Sequence, residues 1–209
     1  METGDHFKNG ASSKSQRSRG NFFRKSLLLC LSGLLFTVTL FAAKPVTVVS
    51  GDVSVLKKAS LALLEIDFSN AKVGDVTMEE YQNRRGTDFI IEWPDVVQST
   101  HLAFVKFFNN KNQKGLQLTT EAIGVSYKMV INVSYLNMGD SFSGLIPYSS
   151  RKAGGALMNG FIDIVDVKTN KVVCALDVIG LKGKGYLDQK TRLRSVFEYL
   201  ADNMYKLKK

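Results

Sequence analysis

The segment Ala156–Gly180, ALMNGFIDIVDVKTNKVVCALDVIG, decides the fold. Two apolar runs rich in β-branched residues flank the polar stretch Lys168–Lys171, a pattern typical of two antiparallel strands joined by a tight turn. Asn170 suits the left-handed backbone position of such a turn, and the side chain of Asp166 is expected to hold the turn by hydrogen bonds. The sequence therefore predicts a β-hairpin on which the rest of the chain packs.

A Gly-rich segment, Leu181–Gly185, links this hairpin to an amphipathic C-terminal helix. The helix is predicted because apolar residues recur every three or four positions. The stripe comprises Leu193, Val196, Phe197, Leu200, Met204 and Leu207. The residues expected to face water are Lys190, Arg192, Arg194, Glu198 and Asp202. A phosphate-binding loop requires Gly-Lys-Ser or Gly-Lys-Thr, whereas Gly185 precedes Tyr186, so the Gly-rich segment is expected to be a flexible connection.

The upstream sequence predicts a strand, two helices and further strands. Leu61–Phe68 is apolar on both faces at first, as expected of an interior strand. Thr77 begins a capping box for a short helix that ends near Gly86. A second helix is expected to open at Trp93–Asp95, because Pro94 suits a first helical turn. The other expected strands are Val46–Val49, Leu116–Leu118 and Val125–Leu136.

These elements predict an α+β fold in the order β-α-α-β-β-β-α. The sheet is expected to be mixed but mainly antiparallel, with helices packed mostly on one face. The composition, 44% hydrophobic and 22% charged, is that of an ordinary globular protein. Residues 44–209 are accordingly expected to form a single domain.

The N-terminal region is typical of an exported protein. Residues 1–25 are polar and basic and are expected to be a disordered leader. Residues 26–43 are uncharged and apolar, follow Arg24-Lys25 and end in Ala42-Ala43, which favours a signal peptide cleaved near Ala43. The alternative is an uncleaved membrane anchor. In both cases the residues from Lys44 onward are expected outside the cytoplasm, in the periplasm or cell envelope, because the basic flank stays inside.

Charge and metal-ligand counts argue against several functions. The chain has 28 Lys and Arg against 19 Asp and Glu, a net charge of +9, but shows no arginine-rich stripe interleaved with aromatic residues. No nucleic-acid partner is therefore expected. Two cysteines, Cys30 and Cys174, and two histidines, His6 and His101, provide no zinc-ligand spacing. Cys174 is expected to be a buried apolar residue. No metal and no cofactor is expected.

The candidate partner-contact region is the long break in pattern between Gly139 and Gly155. It carries four large apolar or aromatic residues: Phe142, Leu145, Ile146 and Tyr148. Such side chains are costly to leave bare in water. They either fold back on the sheet of their own chain or contact a partner, and long loops often carry function. The expected partner is an envelope protein or a peptide.

A secreted hydrolase is the alternative function. Glu65 and Asp67 share one face of a strand and could serve acid–base chemistry. His101 lies at the edge of a core-facing helical stripe, where a structural role is expected. The hairpin adds Asp163, Asp166 and Asp177. Catalysis would require at least two of these groups in one pocket. We expect them to be scattered, which favours a non-catalytic binding protein with no catalytic residues.

Several segments resemble a family of uncharacterised secreted proteins from Bacteroidetes. These are Ile66–Gly74, Glu79-Glu80-Tyr81, Gly160–Asp166 and the Gly-rich segment before the last helix. The strand–turn–strand–helix end is also similar to the domain shared by curli-secretion lipoproteins and the N-terminal region of TolB. The resemblance implies a cell-envelope α/β domain and assigns no catalytic residue. The chain lacks the lipobox cysteine of the lipoproteins, which argues against lipid anchoring.

Overall fold

Eight strands and three α-helices occur in the residues that the computed structural model describes, 44–139, 154–185 and 188–208. The strands are β1 (Val46–Gly51), β2 (Leu61–Asp67), β3 (Lys72–Val73), β4 (Val76–Thr77), β5 (Gln117–Thr119), β6 (Tyr127–Asn137), β7 (Leu157–Asp166) and β8 (Lys171–Lys182). The helices are α1 (Met78–Arg85), α2 (Thr87–Lys111) and α3 (Gln189–Leu207), and a 3-10 helix covers Val53–Lys57. The predicted α+β class is confirmed.

The predicted hairpin is formed by β7 and β8, which pair antiparallel over most of their length. Asp166 Oδ1 accepts a hydrogen bond from the backbone N–H of Thr169 at 2.8 Å, and Asn170 takes a φ of 51°. Both observations confirm the turn chemistry expected from the sequence, because an Asp before the turn and an Asn in the left-handed region are the residues that this geometry favours.

The sheet order is β1-β8-β7-β6-β2-β5. Strands β1, β8, β7 and β6 pair antiparallel, whereas β2 pairs parallel with both β6 and β5. The mixed sheet and the interior position of β2 were both predicted. The small antiparallel pair of β3 and β4 was not predicted, since two-residue strands leave too short a pattern to detect.

The helices cover one face of this sheet. In β2 the alternate residues Ala62, Leu64 and Ile66 are buried, and the residues between them are only half-buried. The same alternation occurs in β6, β7 and β8. The stripe of α3 is buried as predicted, except that Leu207 is only partly buried. The remaining face, formed by the half-buried residues, is called the outer face below.

Aromatic rings join the sheet to both long helices. Phe68, directly after β2, makes edge-to-face contacts with Trp93 of α2 at 5.5 Å and with Phe197 of α3 at 6.2 Å between ring centroids. Phe104 of α2 also contacts Phe197, at 5.9 Å. Edge-to-face pairs of this kind stabilise by about 0.5–1.5 kcal/mol beyond the area that they bury. The three elements therefore meet at Phe68 and Phe197.

The second helix begins earlier than predicted. It starts at Thr87, so Pro94 lies inside the helix and not in its first turn. The packing of Phe89 explains the difference, because its ring stacks on Trp93 at 5.6 Å and contacts Tyr81 of α1 at 5.5 Å. The contact with Tyr81 of the preceding helix and the stacking on Trp93 one turn later stabilise the added helical residues 87–92, which the proline alone would disfavour.

The boundary between the first two helices agrees with prediction. Thr77 Oγ1 accepts a hydrogen bond from the N–H of Glu80 at 3.1 Å, which is the expected N-cap of α1. Gly86 follows the helix with a φ of 90°, in the region that favours glycine. The capping residues therefore set both ends of this short helix.

Strand β1 forms one edge of the sheet. Within the part of the chain that the structure describes it pairs with β8 alone, and Val46 lies opposite Val178. The register shifts between Val48 and Ser50, so Val49 forms a β-bulge. Bulges at sheet edges bend the strand and interrupt its unpaired backbone groups.

No helix within the described ranges is both long enough and apolar enough to span a membrane. The predicted signal peptide or anchor, residues 26–43, and the leader before it lie outside the described residues.

Replacing Leu200 by Ala should lower the free energy of unfolding by about 2–5 kcal/mol, because Leu200 is fully buried and the change leaves a cavity. Replacing the exposed Arg194 on the same helix by Ala should change it by less than about 0.5 kcal/mol. Urea denaturation of both variants measures the difference. Equal, small effects would show that α3 is peripheral to the core.

Candidate functional site

The predicted partner-contact residues Phe142, Leu145, Ile146 and Tyr148 lie outside the described residues. The structure does describe the root of their loop, where the chain leaves β6 at Gly139 and returns toward β7 at Gly154. This root contains the two points at which residues 140–153 join the described chain.

The two ends of the loop lie against each other. Gly139 has a φ of 74°, and its N–H donates to Asn137 Oδ1 at 2.8 Å. A Cβ atom at this position would overlap the carbonyl oxygen of Gly154 and would lie 3.2 Å from Nη1 of Arg192. Only glycine satisfies both the backbone angle and the close approach. The loop is therefore closed at its base by direct backbone packing.

The Gly-rich segment before α3 forms the other wall of this root. The N–H of Gly183 donates to the carbonyl of Ala156 at 2.8 Å. A Cβ at Gly183 would come within 2.8 Å of the backbone nitrogen of Val196. The segment was predicted to be a flexible connection, but close packing and hydrogen bonds hold it at Gly183. Small residues are needed here because the loop root, β8 and α3 converge.

Arg192 is the residue that the sequence analysis placed wrongly. It was expected to face water, but only 1% of its surface is exposed, and its guanidinium lies beside Gly139 at the loop root. Its charge also helps to lower the pKa of Asp188, after the larger effect of the hydrogen bonds from Thr191. A fully buried arginine is rare in proteins. The sequence did contain a signal for this burial, because Arg192 lies next to Leu193 and one turn before Val196, at the edge of the apolar stripe.

The outer face of the sheet brings the candidate carboxylates together. One cross-strand row contains Asp67, Asn132, Phe161 and Asp177, and the adjacent row contains Glu65, Val130, Asp163 and Ala175. Asp163 and Asp177 are diagonal neighbours, a relation that places Cα atoms about 7–8 Å apart. Four of the acidic groups thus share one face, but only Asp163 and Asp177 are cross-strand neighbours. Glu65 lies two strands from Asp163 and Asp67 three strands from Asp177, about 10 and 14 Å at the usual strand spacing.

Several of these carboxylates form ion pairs or hydrogen bonds with nearby residues, so a structural role accounts for their presence. Glu65 Oε2 pairs with Lys128 Nζ at 2.7 Å. Asp67 Oδ1 accepts from the N–H of Ser69 at 2.7 Å, and such bonds lower its pKa. Asp166 belongs to the hairpin turn. Burial raises the pKa of Asp163. Within the described ranges, no three His, Cys, Asp or Glu side chains are placed to hold a metal ion.

Apolar side chains are interspersed with these carboxylates at the outer face. Phe161 is 46% exposed in the middle of the sheet, and Ile179 of β8 is 64% exposed. Sequence periodicity did not identify Phe161 and Ile179 as exposed, because each has an apolar neighbour in the chain, Ile162 and Val178, that could equally have faced water. The outer face is therefore a mixture of acidic and apolar groups.

His101 does not lie on the same face of the sheet as the carboxylates. It lies half-buried on α2, on the helix-covered side of the sheet, and its Nε2 is buried without a hydrogen-bond partner among the described residues. Burial lowers the pKa of His101, and a hydrogen bond to the backbone of Ile66 partly offsets this effect. Cys174, the buried residue expected from the sequence, is free, and burial raises the pKa of its thiol.

The fold and surface define an α+β protein with a mixed sheet, one helix-covered face and a closed loop root. No protein-family model and no curated protein sequence matches the chain. It is similar in structure to the PelC dodecamer from Paraburkholderia phytofirmans, in two crystal structures of which one is a single-substitution variant. Each PelC chain is 10% identical in sequence to this chain, with TM-scores of 0.41 and 0.40. In both comparisons the aligned residues cover 76% of this chain and 95% of PelC. These values are too low to transfer a function or an assembly.

His101 should make the protein less stable in mild acid. Its folded-state pKa is below the ordinary value of 6.5, so the unfolded chain binds the proton first as the pH falls. This contribution to stability is fully present above about pH 6.5 and is lost as the pH falls toward the folded-state pKa. Between pH 7 and pH 5, the melting temperature of His101→Gln should therefore fall less than that of the original protein.

A matched control is Gln98→Ala, which changes an exposed, uncharged residue of the same helix. Melting curves at half-unit pH steps should show the original pH dependence for this variant. Parallel curves for His101→Gln and the original protein would contradict the assignment of the acid sensitivity to His101.

Proposed function

We propose that the protein is a non-catalytic protein of the cell envelope that binds a protein, peptide or surface component. The loop 140–153 is its proposed contact region. The observation that carries the proposal is the closed root, where Gly139 and Gly154 are in direct contact beside Arg192. The 14 residues 140–153 therefore join the described chain at two neighbouring points, and connections of this length between strands are usually functional.

The rigid attachment supports a binding role because recognition residues are commonly presented by loops on a fixed scaffold. The buried guanidinium of Arg192 and the crowded Gly183 hold the root to α3. The four residues Phe142, Leu145, Ile146 and Tyr148 supply the apolar and aromatic surface that protein contacts favour.

A secreted hydrolase that uses the sheet carboxylates is the second candidate. It is favoured by the shared outer face and by the raised pKa of Asp163, the property expected of a general acid. Against it, Glu65 and Asp67 are held by Lys128 and Ser69, and His101 lies on the other side of the sheet.

Replacing Phe142, Leu145, Ile146 and Tyr148 together by Ser should abolish partner association without lowering the melting temperature by more than a few degrees. A photo-crosslinking amino acid at position 146, in a chain that retains the other three residues, should form a discrete adduct in cells of the source organism. The adduct should disappear when the other three are replaced by Ser.

The matched control replaces Ile91 and Leu102, exposed apolar residues of α2, by Ser and should leave the adduct intact. A large loss of stability in the four-residue variant would show that the loop packs on its own sheet. The contact role would then be withdrawn.

Export is part of the proposal and is tested separately. The basic flank, the apolar residues 26–41 and the pair Ala42-Ala43 favour a mature chain that begins at Ala43 or Lys44. N-terminal sequencing after fractionation of a Gram-negative expression host should find this terminus in the periplasmic fraction. If the protein in the carbonate-washed membrane fraction still carries Glu2 and Asp5, residues 26–43 are an uncleaved anchor and not a cleaved signal peptide.

A further inference from the structure

A cleft of about 230 Å³ lies between α2 and α3, next to the Gly-rich segment. It is lined by Phe107, Lys111, Lys184, Glu198, Tyr199 and Asp202. None of these residues belongs to the loop 140–153 or to the outer face. Two of its lining residues are aromatic and four are charged, so the cleft is more polar than most small-molecule pockets, and the charged groups decide what it could bind.

The carboxylates of the cleft already have cationic partners. Asp202 accepts from Lys111 Nζ at 3.0 Å and from Lys206 Nζ at 2.7 Å, and these bonds lower its pKa. Glu198 Oε1 lies 3.6 Å from Arg194 Nε. A cationic ligand would therefore compete with ammonium and guanidinium groups that are already in place, which makes the cleft a poor site for a cation.

Lys184 differs from the other charged residues of the cleft. Its ammonium has no carboxylate partner among the described residues, and the side chain is exposed. Its backbone is nevertheless fixed, because its N–H donates to Ser195 Oγ at 2.9 Å and the preceding N–H of Gly183 donates to Ala156. The site thus holds an ammonium group that is attached to a hydrogen-bonded backbone and is available to an anion.

The aromatic residues determine what kind of anion would fit. Phe107 is half-buried against the core, and Tyr199 is 38% exposed on α3. Their rings supply apolar surface that would be desolvated by a flat ligand. The volume is below the range of about 300–1,000 Å³ found for drug-sized ligands, so it suits a single ring.

We propose that this cleft binds a small organic acid in which a carboxylate is attached to a ring. The carboxylate contacts the Lys184 ammonium, and the ring contacts Phe107 and Tyr199. Both an aromatic acid and an acidic monosaccharide have this chemistry. The proposal stands independently of the partner-contact loop, since the two regions share no residue.

Calorimetric titration of the full chain with four probes tests the proposal. Benzoate and glucuronate carry both a ring and a carboxylate, acetate lacks the ring, and benzyl alcohol lacks the charge. At least one of the first two should bind at least tenfold more tightly than acetate and benzyl alcohol. Tighter benzoate would indicate an aromatic acid, and tighter glucuronate would indicate a sugar acid.

Two variants locate the binding. Lys184→Gln and Tyr199→Leu should each weaken the preferred probe at least tenfold while the melting temperature stays within a few degrees of the original. The control Lys114→Gln, an exposed lysine after α2 that does not line the cleft, should bind like the original protein. The proposal is overturned if neither ring acid binds, if acetate binds as tightly, or if Lys184→Gln leaves binding unchanged.

Discussion

The arrangement of the helical layer depends on the ring of Phe68, which contacts both long helices. Phe68 follows the interior strand β2, and its ring contacts Trp93 of α2 and Phe197 of α3. Because Phe197 also contacts Phe104, the two helices and the sheet share one aromatic cluster. The position of α3 then determines where Ser195, Arg192 and Tyr199 lie, and with them the loop root and the cleft.

Local signals in the sequence predicted the local structure well. The hairpin turn follows from Asp166 and Asn170, and the first helix follows from the Thr77 cap and Gly86. Each of these signals acts through backbone geometry within a few residues, so no tertiary knowledge is needed. The stripe of α3 was predictable for the same reason, since its period is a property of the helix alone.

Features that depend on distant contacts were not predictable from the sequence. The start of α2 depends on the packing of Phe89 against Tyr81 of the preceding helix. The burial of Arg192 depends on the approach of Gly139 from another part of the chain. Whether the carboxylates share a face depends on the pairing register of β2, β6, β7 and β8. A slip of one residue would move the carboxylates of a strand to the opposite face of the sheet. The cleft required the packing of α2 against α3, so its six residues gave no joint signal in the sequence.

The pairing of β1 with β8 has a consequence for the way in which the chain assembles. Among the described residues β1 pairs with β8 alone, and Val46 lies opposite Val178, which is far from it along the chain. Closing so long a segment of chain costs entropy before any ladder hydrogen bond compensates for it, and sheets dominated by such distant pairs fold slowly. Within the described residues, a nascent chain that ends before β8 therefore leaves β1 without its partner strand, and the sheet acquires this edge strand only after β8 has been made.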